Sequence, residues 1–239
     1  MLSWIDLLGS LARLGALSFR LALHRKLPFM LGAVAAYYAG LYAFALVRPG
    51  EGFGAGEALY ALVEVPGAVL AVYLAMDLVA RERDRNTLEI LYTTASSHYR
   101  IWLMRLLAAD AVLAVLLLAM SATAYYGFAE FPWVAGWLNA LPPTFLAANL
   151  TFYLSVRWRS GNAAGMVALG ALVAVLLTAG QLQQSPWFLY IKPFAPPMGI
   201  DAAAWLETGL ANRAAVLAAG SLLLYLGLRR LGDRERLLS

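Results

Sequence analysis

Apolar runs of about twenty residues alternate with short polar clusters along the chain. The runs cover Leu27–Val47, Ala58–Val79, Ile101–Ala129, Leu138–Val156, Asn162–Gln183 and Leu210–Leu228. About 20 residues at the helical rise cross the hydrocarbon core of a bilayer. Only structures that satisfy their own backbone hydrogen bonds are tolerated there, which selects helices. The pattern therefore predicts an all-α membrane protein with six transmembrane helices. Before the first run, Asp6, Ser10, Arg13, Arg20 and His24 fall in a narrow arc at helical spacing, while Trp4, Leu8, Leu11 and Phe19 face elsewhere. That predicts an amphipathic helix lying in the headgroup layer, which Gly9 and Gly15 interrupt.

No internal repeat or flexible linker divides the chain, so we expect one transmembrane domain. Its parts are an interfacial helix (1–26), spans one and two (27–79), a cytoplasmic segment (80–100) and spans three to five (101–183). An outer re-entrant or interfacial segment (184–209) follows, then span six with a cytoplasmic tail (210–239).

Composition agrees with the pattern. Of 239 residues, 62% are hydrophobic and 13% charged, against about 25% charge in soluble domains. Cysteine is absent, which excludes disulfides, thiolate metal sites and cysteine nucleophiles. With His24 and His98 the only histidines, a histidine-built metal centre is not expected. The N-terminus lacks the compact apolar stretch and small-residue site of a cleavable signal.

Charge sets orientation. With the six runs as spans, fifteen of the eighteen basic residues fall on one side, and only Arg48, Lys192 and Arg213 on the other. By the positive-inside rule the richer side is cytoplasmic, and both termini with it. The net charge of +4 then reflects contact with anionic membrane lipids. No nucleic-acid partner is expected, because aromatic residues do not interleave with the basic ones.

One polar cluster is unusually dense. "ARERDRNTLEIL", Ala80 to Leu91, holds three arginines and three acids. Asn86-Thr87-Leu88-Glu89 has the form of a capping box, with Asn86 as N-cap and Glu89 at the third helical position. A short helix should begin at Thr87, with Leu88, Leu91 and Tyr92 on one face, and Ser96 or Ser97 can cap the helix of span three. A loop needs only polarity to stay soluble. A capped helix with an apolar face calls for something to dock on it.

The stretch "RERDRNTLEILYTTASSHYRIWLMRLLA", Arg81 to Ala108, resembles the segment between the second and third helices of type-2 ABC permeases, the membrane subunits of ATP-binding-cassette exporters. Glu82, Arg83, Thr87, Leu88, Glu89, Leu91, Thr94, Ser96 or Ser97 and Ile101 sit where that family's pattern asks. Asn86, Ala95 and Met104-Arg105 depart from the usual glycine, proline and Gly-Lys. The resemblance implies that this segment is a coupling helix seated in a groove of an ATPase subunit, so that Glu82, Arg83, Asn86, Thr87, Leu88, Glu89, Leu91 and Tyr92 would make the contact. The chain has no phosphate-binding G-x-x-x-x-G-K-[ST] loop, so ATP and magnesium would be bound by a separate ABC ATPase dimer. A second permease chain, identical or related, would complete the path for a hydrophobic or amphipathic substrate. The chain itself would be no enzyme.

Polar residues within the spans are the remaining candidates. Glu64 lies about two turns into span two, and an intramembrane carboxylate is costly unless paired, protonated or wetted. Pro66 and Gly67 follow it and predict a kink or local break. The permease resemblance would place Glu64, Pro66 and Gln181 on the substrate path or gate. Asp77 is expected to pair with Arg81, and Asp110 with a neighbouring basic group such as Arg105. Asn149 and Thr151 are expected to join helices, and Gly161-x-x-x-Gly165 and Gly32-x-x-x-Ala36-x-x-x-Gly40 to permit close packing. Competing readings are a proton-coupled secondary transporter centred on Glu64, and a membrane-embedded enzyme using it. The enzyme is disfavoured because Glu64 and Asp77 are roughly 20 Å apart along one helix.

Overall fold

A computed structural model describes residues 26–47, 53–76, 78, 98–158, 160–182 and 185–232. The described residues form helices α1 (Leu27–Val47), α2 (Ala55–Ala75), α3 (His98–Gly127), α4 (Trp133–Trp158), α5 (Gly161–Leu177), a short α6 (Ala179–Leu182) and α7 (Ala202–Gly232), with no strand among them. Every apolar run thus lies largely on a helix. Four helices are long and apolar enough to cross a membrane: Leu27–Val47, Ala55–Ala75, Trp102–Gly127 and Ala202–Leu231. The fourth run is a 26-residue helix that carries Asn139, Asn149 and a Pro142-Pro143 pair. The fifth spans 17 residues. The expected interfacial helix and the expected coupling helix, with Asp77 and Arg81, lie outside the described residues.

Helix directions follow from which residues meet. Lys26 Nζ donates to the Tyr73 carbonyl and Tyr38 Oη to that of Leu62, so α1 and α2 are antiparallel. Asn139 meets Glu64 and Ser155 meets the Met76 carbonyl, so α2 and α4 run parallel. Arg213, Gly220 and Gly227 of α7 meet Asn139, Phe145 and Phe152 of α4 in the same order, so α7 is parallel to both. Trp137 Nε1 donates to the Ala114 carbonyl and Ser121 Oγ to that of Trp133, which sets α3 antiparallel to α4.

Helix α4 is the hub, packed against α2, α3, α5 and α7. Two α7 glycines make the α4–α7 approach possible: a Cβ on Gly227 would fall 2.6 Å from Phe152 Cε1, and one on Gly220 2.7 Å from Phe145 Cδ1. Small residues let transmembrane backbones close in this way. Gly165 of the expected Gly161–Gly165 pair does pack tightly, on Met76. The α1 stripe does not: Gly32 and Gly40 meet nothing within 4 Å. Nor does Asn149 bridge helices, since its Nδ2 donates to the Phe145 carbonyl of its own helix. Thr151 likewise bonds Ala147 of its own helix. Both follow from geometry, because a short polar side chain reaches the carbonyl four residues back more easily than a neighbouring helix.

Buried residues concentrate in α2, whereas α1 buries only Met30 and Tyr38. Phe29, Leu46, Val115, Met166 and Leu177 are exposed, as expected for helices whose outer faces meet lipid.

Candidate functional site

The expected break at Pro66 takes a specific form. Residues Leu59–Glu64 make a π turn, closed by a bond from the Val65 N–H to the Tyr60 carbonyl. Pro66, which has no N–H, sits in the first turn of the α-helical part that follows. The Leu62 carbonyl thus loses its ordinary donor to proline, and the Ala61 carbonyl loses the Val65 N–H to the π register. Two adjacent tyrosines of α1 replace them. Tyr37 Oη donates to the Ala61 carbonyl at 2.8 Å and Tyr38 Oη to the Leu62 carbonyl at 2.7 Å. Without such partners a freed carbonyl in hydrocarbon is costly. Isolated π turns occur frequently at functional sites, and this one ends on Glu64.

Glu64 is 1% exposed and its Oε1 receives two donors. Arg213 Nη2 donates to it at 2.7 Å and Asn139 Nδ2 at 2.8 Å. Asn139 Oδ1 in turn accepts from Arg213 Nε at 2.8 Å, which closes a ring of three side chains from α2, α4 and α7. The guanidinium extends the cluster further. Its Nη1 donates to the Leu189 carbonyl, and Nη2 also reaches the Ile191 carbonyl at 3.3 Å. Four of the five guanidinium N–H groups are thereby engaged.

Leu189 and Ile191 belong to the segment between α6 and α7, which the sequence predicts as short interfacial or re-entrant pieces. Its described part, Ser185–Ile200, consists of turns and irregular backbone. Irregular backbone at membrane depth must find partners in protein, and here neighbouring side chains of α7 supply them. Asn212 Nδ2 donates to the Pro186 carbonyl at 2.8 Å and lies 3.2 Å from that of Phe188. Trp205 Nε1 donates to the Lys192 carbonyl. The segment turns back at Pro197–Ile200, where the Ile200 N–H reaches the Pro197 carbonyl and Gly199 has φ 85°, a left-handed conformation suited to glycine. Asp201 Oδ2 then caps α7 by accepting from the Ala203 and Ala204 N–H groups.

Aromatic rings seal the cluster. Tyr60 and Tyr190 meet edge to face at 5.6 Å, and Tyr190 and Phe188 at 6.1 Å. Among the described residues no group of three His, Cys, Asp or Glu side chains is disposed to hold a metal ion.

Of the residues expected on a path or gate, Glu64 lies in the cluster and Pro66 follows it in the first α-helical turn beyond the π turn. Gln181 is exposed on α6 and shares no hydrogen bond with Glu64 among the described residues. Glu82, Arg83, Asn86, Thr87, Leu88, Glu89, Leu91 and Tyr92 lie outside the described residues. Arg105 does not pair with Asp110; its guanidinium lies 5.3 Å from the Trp102 ring centroid. The residues that sequence reasoning missed are Asn139, Tyr190 and above all Arg213. With the sixth span starting at Leu210, Arg213 counted as an outer-side charge. The helix in fact starts at Ala202, which carries Arg213 three turns inward, to 6% exposure. The readable signal was Asp201 as an N-cap ahead of "AAAWLETGLANR".

The chain matches no family model, no curated protein and no solved structure.

Proposed function

We propose that this chain is the permease subunit of an ABC exporter. It crosses the bilayer six times with both termini in the cytoplasm of a cell whose inner or plasma membrane it occupies. With a second permease chain it forms the path for a hydrophobic or amphipathic substrate, driven by ATP and magnesium on a separate ATPase dimer. The resemblance of Arg81–Ala108 to the coupling segment of type-2 ABC permeases supports this reading. So does one structural observation, which carries the mechanism: Glu64, on the helix that leads into that segment, is ion-paired at 2.7 Å to Arg213, which also holds the Leu189 and Ile191 carbonyls. A displacement of α2 by an ATPase would load this ion pair directly. As the pair shifts, the 185–201 segment is released from the bundle and the route past it opens. The movement is a rigid-body step of a packed helix, and the charge cluster is its two-state element.

The test is whether an ATPase chain co-purifies with this protein, and whether changing Glu89 and Leu91 together to alanine releases it or uncouples its ATP hydrolysis. Substrate movement that persists with no ATPase present excludes the proposal and favours a proton-coupled transporter centred on Glu64. A Glu64→Gln variant keeps an oxygen acceptor for Arg213 but removes the opposing charge, so it should alter transport at some cost in stability, with gel filtration showing that the protein still assembles.

A further inference from the structure

The π turn leaves α2 with one residue in excess. The Val65 N–H reaches back five residues to the Tyr60 carbonyl, where an α-helix would take it back four, to Ala61. Ala61 is the residue left over: its carbonyl loses Val65, and Pro66 has no N–H to offer. Tyr37 Oη covers that carbonyl at 2.8 Å, from an exposed position on α1.

The two parts of α2 on either side of the turn are held differently. Beyond Pro66 the helix is clamped. A Cβ on Gly67 would strike Leu117 of α3, Met76 packs on Gly165 of α5, and Ser155 of α4 donates to the Met76 carbonyl. Before the turn the helix rests on the outer segment. A Cβ on Gly56 would meet Lys192 and Ala195 at 3.3 Å, and the Tyr60 ring stands edge to face with Tyr190.

An ordinary α-helical register is open to the same residues. The Val65 N–H would pass to the Ala61 carbonyl, the Glu64 N–H would serve Tyr60, and the Tyr37 hydroxyl would be released. The Leu62 carbonyl faces Pro66 in either register, so Tyr38 is needed in both. Its Oη also lies 3.1 Å from the Met120 carbonyl of α3, which holds it in place. Tyr37 is needed in the π register alone. A change of one residue turns one part of the helix against the other by roughly 100° and moves it by about 1.5 Å along the axis.

We infer that the π turn of α2 is a register switch latched by Tyr37, through which Ala55–Tyr60 turns against the clamped part of the helix and lets go of the outer segment at Lys192 and Ala195. The register change stands on its own geometry; its use as the hinge of an outer gate rests on the transport reading, and its test needs no ATPase.

The test is a distance across the turn. Because the chain lacks cysteine, Glu57→Cys and Trp158→Cys, both at exposed positions, give two unambiguous spin-label sites in the full chain in detergent. One lies before the turn and the other at the far end of α4, and double electron–electron resonance reads their separation. A side chain on the surface of a helix 10–12 Å across moves roughly 8 Å when the helix turns by one residue, so the second register should appear as a separate distance. Tyr37→Phe should raise its share about fivefold, the weight of one ordinary hydrogen bond. Tyr42→Phe, also exposed on α1, should change nothing. Deleting Ala61 keeps the Val65–Tyr60 bond as an α-helical one and leaves both flanks in their present register. That variant should hold the main distance alone, keep its thermal midpoint and make Tyr37→Phe silent. Should Tyr37→Phe fail to fold by itself, deleting Ala61 should rescue it, and failure to do so would overturn the inference. An unchanged distance distribution in Tyr37→Phe, or thermal destabilisation with no second distance, would overturn it too. So would a second distance that survives the deletion, or a deletion variant that does not fold.

Discussion

Replacing Arg213 by methionine removes the cation while keeping most of the side-chain bulk. Glu64, 1% exposed, then loses its ion pair, Asn139 Oδ1 loses its donor, and the Leu189 and Ile191 carbonyls lose theirs. Removing one partner of a buried pair costs about 3–5 kcal/mol, mainly because the remaining charge is stranded. For a chain of this size 1 kcal/mol shifts the thermal midpoint by roughly 2–4 °C, so Arg213→Met should lower it by roughly 6–20 °C. The informative comparison is with the double variant Glu64→Leu/Arg213→Met. It removes both charges together, and apolar replacement of a buried pair is often neutral or better. The carbonyls of the 185–201 segment still lack their donor in the double variant, so recovery should be partial rather than complete. Scanning fluorimetry in one detergent, with gel filtration to confirm a monodisperse starting state, gives the midpoints of the unaltered chain, Arg213→Met, Glu64→Leu and the double variant. If the single variant shifts by less than about 2 °C, or the double is as unstable as the sum of both singles, the cluster is not the coupled unit described here.

Tyr38→Phe removes the hydroxyl that covers the Leu62 carbonyl left bare by Pro66; a loss of about 1–3 kcal/mol is expected, with faster amide exchange confined to the π turn, and uniform exchange would refute the assignment. Gly227→Ala should cost about 1–3 kcal/mol by overpacking against Phe152, read as a lower midpoint. Gly40→Ala, where a Cβ meets nothing within 4 Å, should be neutral or stabilising by helix propensity, and equal losses at both positions would contradict the α4–α7 packing.

Helix existence was legible because an apolar run of this length has few alternatives in hydrocarbon. Leu27–Val47 was read to the residue. Helix starts were less legible: α4 begins five residues and α7 eight residues before the expected spans. In α7 the extra turns, residues 202–209, are largely small and polar; in α4 they are the aromatic-rich Trp133–Trp137, just after Pro132. That difference mattered for the site. Asn139 and Arg213 were placed near a boundary, where a polar side chain meets water and calls for no partner. Counting basic residues by side placed Arg213 at the minority end and, for that reason, disguised it as an ordinary surface charge. Proline-containing "VEVPG" announced an irregularity but not its kind, because the π register depends on Tyr37 and Tyr38 arriving from another helix.

By itself, the order of residues determined that this chain is helical and suited to a membrane, where the apolar runs lie, and that Glu64 is a costly group requiring compensation. Those are local or compositional properties, readable without knowing which helix meets which. Tertiary structure alone decided what the compensation is. Arg213 lies 149 residues from Glu64 along the chain, and only the parallel packing of α2, α4 and α7 brings the two together. Burial then makes the pairing obligatory, since a charge withdrawn from water must find its partner inside the fold.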